Sequence, residues 1–227
     1  MGIKKKVHQW IERIYFGRRY QNTIGKTALD DGMPWITFRA FDFLRTILSS
    51  KMQIFEFGMG GSTIFFSKHV HQVISVEHDE VWCKQTLQVL KEQDLHNVKY
   101  HLLEPTPIAD YAQKNYKNPL DYVSFYAKKW QNYCFEDYAK SIVAYPDETF
   151  DLIFIDGRVR NSCALHSFDK LKTGGYLILD NSEREGYEYV HNALQEKKWE
   201  AKHFWGMGGY AHRKQCFWRT SFWKKIK

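Results

Sequence analysis

The sequence predicts an α/β fold: a doubly wound, mostly parallel sheet with a C-terminal antiparallel hairpin, preceded by N-terminal helices. Three observations carry the prediction. Short apolar runs alternate with helical stretches between residues 54 and 197, the pattern of a parallel sheet covered on both faces. A glycine-rich turn follows the first of those runs directly. Two late runs rich in Trp and Phe are joined through Gly206, Gly208 and Gly209, as in an antiparallel pair at a sheet edge.

Taken in order, residues 3–16 place Ile3, Val7, Trp10, Ile11 and Ile14 on one helical stripe flanked by lysines. A polar link covers 17–32. Pro34 then opens a second helix running to about Ser50, with Phe38, Phe41, Leu44 and Leu48 on one face. Strands are expected at 54–57, 73–77, 98–103, 150–156, 176–180, 199–205 and 214–223. Helices are expected at 62–69, 80–93, 161–172 and 184–197. The division is a basic amphipathic helix and linker, 1–32, and one α/β domain, 33–227. Within that domain 105–135 stands out, interrupted by Pro105, Pro107 and Pro119 and rich in tyrosine; an insertion of this length reads as a lid or a disordered loop.

Composition narrows the function. The 227 residues are 44% hydrophobic, enough for one substantial core, and no run approaches the roughly 20 apolar residues of a membrane span. Lys4-Lys5-Lys6 is not followed by an apolar stretch, because Glu12 and Arg13 interrupt, and Lys6 stands where a myristoylation signal needs a hydroxyl. A cytoplasmic protein is expected. Cys83, Cys134, Cys163 and Cys216 show no paired spacing, so reduced thiols are expected and structural zinc has no support. The net charge is +7, yet residues 1–20 and 212–227 hold six Lys/Arg each against Glu12 alone, so the body between them is acidic. General affinity for nucleic acid would need a continuous positive footprint.

The strongest chemical signal is the run from Ile54 to Thr63, IFEFGMGGST. A buried strand enters a turn containing Gly58, Gly60 and Gly61, and a helix opens at Ser62, so backbone and free N–H groups can approach a ligand closely. Nineteen residues after Gly58, at the end of the next strand, Glu77 is placed to accept hydrogen bonds from ribose hydroxyls. A dinucleotide site would want a third glycine where Thr63 stands, and Glu56 would set a carboxylate against a pyrophosphate. S-adenosylmethionine has no phosphate and carries a sulfonium and an ammonium, which an acidic residue suits.

Glu56-x-Gly58-x-Gly60-Gly61 followed by Glu77 resembles the cofactor motif of class I S-adenosylmethionine-dependent methyltransferases, which have a Rossmann-like fold. The likeness runs from about Pro34 to the C-terminus and takes in DLIFIDG (151–157) and GGYLILDN (174–181) at the places of that fold's fourth and fifth strands. It implies methyl transfer from S-adenosylmethionine to an acceptor, with Glu56, Gly58, Gly60, Gly61, Ser62 and Glu77 around the cofactor. It further implies Glu104, at the end of the third strand, near the adenine amino group.

Asp156, Asp180 and Asn181 form a second constellation at the carboxyl ends of two strands, where open parallel sheets bind ligands. Converging oxygen donors of this kind suit Mg²⁺ or Ca²⁺. The pattern is similar to that of catechol and caffeoyl-CoA O-methyltransferases, in which these positions are metal ligands. A metal-free reading has Asp156 as general base and Asn181 as a donor to the acceptor. A third is ordinary turn chemistry after a strand. All three stay open at this stage. Arg158 and Arg160 suit an anionic acceptor or a solvated loop, His78 and Asp79 an adenosine contact or a surface turn. Trp35, Tyr111, Tyr116, Tyr122, Tyr126 and Trp130 are candidates for the acceptor wall, about half of them expected to serve packing alone.

The expected reaction is methylation of a small-molecule acceptor, most simply at a hydroxyl. A nucleic-acid methyltransferase of the amino-group type would show an Asn/Asp-Pro-Pro-aromatic loop after the fourth strand, where this chain has Asp156-Gly157-Arg158-Val159. A non-catalytic cofactor-binding protein on the same fold is the other alternative. The basic N-terminal helix suits peripheral contact with an anionic membrane, packing on the body, or a homo-oligomer interface.

Overall fold

The computed structural model describes residues 2–209 and 216–226. Three helices open it: α1 (Gly2–Gln21), α2 (Ala28–Asp31) and α3 (Phe38–Ile47). The alternating part follows as β1 (Gln53–Phe57), α4 (Gly61–Ser67), β2 (Gln72–Glu77), α5 (Glu80–Glu92) and β3 (Val98–Leu102). Next come β4 (Thr106–Pro107), β5 (Tyr133–Cys134), α6 (Glu136–Lys140), β6 (Phe150–Ile155) and α7 (Arg160–Ser167). β7 (Leu171–Leu179), α8 (Glu188–Glu196), β8 (Glu200–Met207) and β9 (Phe217–Lys224) complete it.

Seven strands form one sheet in the order β3-β2-β1-β6-β7-β9-β8. The first five are parallel; β9 lies antiparallel between β7 and β8. The strand sequence reverses direction between β1 and β6, which opens a crevice at their carboxyl ends. Because side chains alternate along a strand, β1 sends Phe55 and Phe57 to one face and Ile54 and Glu56 to the other. Phe55 and Phe57 pack with Ile153, Ile155, Leu177 and Leu179 against Tyr138, Cys163 and Ala164. Ile54 packs with Leu152, Phe154 and Ile178 against Phe41, Leu44, Phe65 and Phe66. Truncating a fully buried ring such as Phe154 to alanine should cost about 3–5 kcal/mol.

Several boundaries differ from the expectation. α3 starts at Phe38 rather than near Pro34, because Thr37 is spent bridging to Gly208 and its amide donates to Thr220 Oγ1. α2 lies inside the expected link; its N-cap Thr27 and Asp30 form a reciprocal capping box. α7 stops at Ser167, since Leu171 already pairs with Phe150 as the first residue of β7. Of the last expected strand, residues 214–215 lie outside the described residues.

The N-terminal helix docks through a largely polar face. Glu12 is fully buried: it pairs with Arg39 and accepts the Met207 amide at 3.0 Å, while His8 Nε2 meets Trp205 O at 2.9 Å. Phe16 packs on Phe38. The apolar residues Val7, Trp10 and Ile14 of the expected stripe point outward, 50%, 65% and 60% exposed. The partners offered by β8 and α3 are a backbone amide and a guanidinium, so polar complementarity rather than apolar burial sets this helix's rotation.

Segment 105–135 is folded rather than open. β4 and β5 pair antiparallel at its ends, and Val123 bridges to Cys134. Tyr122 and Phe135 enter the core. The Asn161 amide donates to the carbonyls of Tyr116, Lys117 and Gly186, and Lys129 Nζ meets Asp79 at 2.9 Å.

Candidate active site

The turn after β1 is held from several directions. Gly58 N donates to Val76 O at 2.9 Å, Met59 N to Glu77 Oε2 at 3.0 Å and Gly60 N to Thr63 Oγ1 at 2.9 Å; Trp82 Nε1 donates to Met59 O at 2.6 Å. Gly58 has φ +103°, and a Cβ there would lie 2.9 Å from the Gly157 backbone. At Gly157 a Cβ would fall 2.0 Å from the Tyr138 hydroxyl. Two glycines therefore let the ends of β1 and β6 touch back to back, leaving no side chain between them in the crevice.

Glu56 stands below this turn, not on the cavity wall where the motif had suggested it. It is fully buried, and its carboxylate accepts hydrogen bonds from Ser62 Oγ, from Thr63 Oγ1 at 2.6 Å and from Ser75 Oγ at 2.9 Å. Burial outweighs those hydrogen bonds and pushes its pKa up to about 7. Its work is to hold α4 against β1 and β2. Thr63 and Ser75 were not foreseen as partners; the available signal was Ser75, a polar residue beside Glu56 in the strand register.

A cavity of about 400 Å³ opens above the turn, lined by Gly58, Gly60, Gly61, Ser62, Glu77, Asp79, Trp82 and Trp130, among others. Glu77 Oε1 accepts the amides of His78 at 2.6 Å and Asp79 at 2.8 Å, while Oε2 takes only that of Met59. A carboxylate oxygen offers about two lone-pair sites, so Oε2 retains capacity for a ribose hydroxyl. The His78 ring is buried between Trp130, Phe135 and Tyr138, with Nδ1 2.6 Å from Glu77 Oε1 but out of line for a hydrogen bond. Glu104 is exposed and outside this wall, because the chain turns away into β4 after Leu103.

A second cavity, about 710 Å³, adjoins the first. It is lined by Tyr126, Arg160, Asp180, Asn181, Glu183, Arg184 and Trp218. Ala28, Trp35, Asp156 and Arg158 line both cavities. Of the six aromatic candidates, Trp35, Tyr126 and Trp130 reach a cavity wall. Tyr122 is core, Tyr116 stacks on Phe125, and Tyr111 donates to Ser124 O.

Asp156 is the carboxylate common to both cavities among the described residues. Its Oδ1 lies 2.9 Å from Arg160 Nη2, and its second oxygen has no partner among the described residues. Burial raises its pKa against the opposing pull of Arg160, Arg184 and Arg158. Val159, between two of those arginines, adopts φ +41°, a strained conformation for a β-branched residue that splits the directions of its neighbours. Arg160 turns inward, donating to Asp180 O at 2.5 Å and Asp156 O at 2.8 Å, with Asn181 Oδ1 at 3.5 Å. Arg158 faces the cavities.

The residues do not fit the Mg²⁺ reading. Arg160 already supplies the cation between Asp156 and Asn181. Asp180 Oδ1 is committed to Trp218 Nε1 at 2.8 Å and Thr220 Oγ1 at 2.6 Å. Burial, with Asp156 nearby, raises the Asp180 pKa. Among the described residues no group of three or more His, Cys, Asp and Glu converges as a metal site. Asp180 thus pins β9 to the sheet end rather than presenting a ligand set. Trp218, which makes that possible, carried no signal in the sequence.

No family model and no curated protein matches this sequence. Solved structures do. The O-methyltransferase TomG of Streptomyces achromogenes, solved in complex with S-adenosylmethionine, is similar at TM-score 0.60 and 13% identity over all of both chains. Precorrin-6y C5,15-methyltransferase of Geobacter metallireducens gives 0.54 at 13% identity, over 82% of this chain and 87% of that one. A methyltransferase-like protein of Silicibacter pomeroyi gives 0.51 at 20%, over 86% and 89%. The chain has the class I methyltransferase fold, as the sequence motif implied.

Proposed function

We propose that this protein transfers a methyl group from S-adenosylmethionine to a hydroxyl of a small-molecule acceptor, with Asp156 as general base and no metal. The observation that carries the proposal is the place of Asp156, where a glycine-walled cavity with a ribose-type carboxylate meets a second, side-chain-walled cavity. When bound in the first cavity, S-adenosylmethionine supplies a methyl group activated on sulfonium; attack by the acceptor oxygen breaks the C–S bond and leaves S-adenosylhomocysteine. The walls suit that group. Glu77 offers Oε2 to a ribose hydroxyl, Trp82 and Trp130 offer apolar faces, and the volume is that of a ligand pocket.

In this scheme Asp156 takes the hydroxyl proton on its unpartnered oxygen as the acceptor oxygen bonds to carbon. Arg160 fixes the carboxylate through Oδ1, and Asn181 supplies an amide at the acceptor-side wall. Asp180 acts through Trp218 and Thr220, keeping the hairpin closed over the second cavity. No helix among the described residues is long and apolar enough to cross a membrane.

The test is methyl transfer from radiolabelled S-adenosylmethionine into a small-molecule extract. Labelled product should appear, and EDTA should leave the rate unchanged. Loss of activity with EDTA and recovery with Mg²⁺ would overturn the metal-free assignment. Label appearing only in added RNA would overturn the acceptor class.

A further inference from the structure

Three arginines, Arg158, Arg160 and Arg184, line the second cavity, and among the described residues Arg160 alone of them is in direct contact with a carboxylate. Arg160 is consumed by Asp156 and by the carbonyls of Asp156 and Asp180. Of the acids, Asp180 Oδ1 takes Trp218 and Thr220, and Glu183 Oε2 takes the Arg219 amide at 2.9 Å. Glu77, in the wall of the first cavity, accepts the amides of Met59, His78 and Asp79. That leaves Arg158 and Arg184. Neither side chain makes an ion pair or a hydrogen bond among the described residues; Arg158 Nε is buried without a partner, and Arg184 lies over the Tyr126 ring at 4.8 Å. Asp156 acts on both, and Glu77 on Arg158, only through space; a buried guanidinium nitrogen without a hydrogen-bond partner is costly, and a planar guanidinium matches an oxyanion in two parallel hydrogen bonds.

We infer that the acceptor carries an anionic group, a phosphate or a carboxylate, bound between Arg158 and Arg184 beside the hydroxyl to be methylated. The inference rests on the methyltransferase reading for the word acceptor, but the anion site itself does not. Tyr126 supplies a flat wall next to Arg184, and about 710 Å³ leaves room for a metabolite-sized body. Arg158 lines the first cavity too, so the competing assignment is a contact with the carboxylate of the cofactor's methionine part.

Calorimetric titration of the full chain with inorganic pyrophosphate and with citrate, each with and without S-adenosylhomocysteine, separates these. Saturable binding of at least one anion is expected, weakened about tenfold or more in Arg158→Gln and in Arg184→Gln. Lys202→Gln, on the edge strand β8 and in the wall of neither cavity, should bind as wild type does. The tighter of the two anions identifies the group recognised. No saturable anion binding, or wild-type binding in both arginine variants, overturns the inference. So does an Arg158→Gln variant that loses affinity for S-adenosylhomocysteine while its anion binding is unchanged. Failure of wild type to bind S-adenosylhomocysteine would count against the methyltransferase reading alone, since the anion titration without it still reads the site.

Discussion

The first cavity is built on a backbone turn, Gly58, Gly60 and Gly61, with Trp82 and Trp130 beside it and a carboxylate, Glu77, that is fixed by three amides. The second is walled by long side chains, Tyr126, Arg158, Arg184 and Trp218 among them, drawn from four separate segments. The difference follows from what each would hold. A cofactor of fixed shape is met by fixed geometry, which a strand, a turn and a helix supply together. An acceptor is met by side chains, which can be exchanged without disturbing the sheet. Asp156 sits where the two meet, so substitutions on either side should separate cofactor binding from turnover.

The largest effect is expected at that junction. Asp156→Asn keeps an oxygen for Arg160 but removes the base, and labelled methyl transfer should fall by about 10²–10⁴. Affinity for S-adenosylhomocysteine, measured on the same variant, should stay near wild type. Turnover within a factor of a few of wild type would place the chemistry elsewhere. An equal loss in binding and rate would erase the distinction between the two cavities.

Under the first cavity, Glu56 makes a smaller, pH-dependent contribution. Its pKa in the fold is raised to about 7 from 4.5, so the protonated form favours the folded state. That stability is fully present below about pH 4.5 and is lost as pH rises to about 7, on the order of 3 kcal/mol in all. In Glu56→Gln the window should vanish, so the stability difference between wild type and variant, from urea unfolding at pH 4.5 and pH 8, should change by that order. A difference constant with pH would mean that Glu56 stays ionised on its three hydroxyls.

The same contrast explains what was legible in the sequence. The alternation of strands and helices, the hairpin and the glycine turn with Glu77 were readable because apolar alternation and fixed spacing encode them locally. The cavity position of Asp156 was readable because it follows directly on a strand end. The capture of Asp180 by Trp218 and Thr220 was not, since those residues are distant in sequence and meet only through the antiparallel register of β9. Nor was the position of Arg160 between Asp156 and Asn181, which accompanies the left-handed backbone at Val159. α1 misled for a related reason. Its apolar stripe was clear, but β8 and α3 offer Glu12 an amide and Arg39, so Val7, Trp10 and Ile14 are left outside.

The central claim is that the first cavity binds S-adenosylmethionine through the glycine turn and Glu77. Titration calorimetry with S-adenosylhomocysteine on wild type and on Glu77→Ala tests it most directly. Wild type should bind one equivalent, and the variant should lose about 1.5–3 kcal/mol of affinity, the value of a charge-assisted hydrogen bond to the ribose. No heat with folded wild type, or the same affinity in both proteins, would contradict the account.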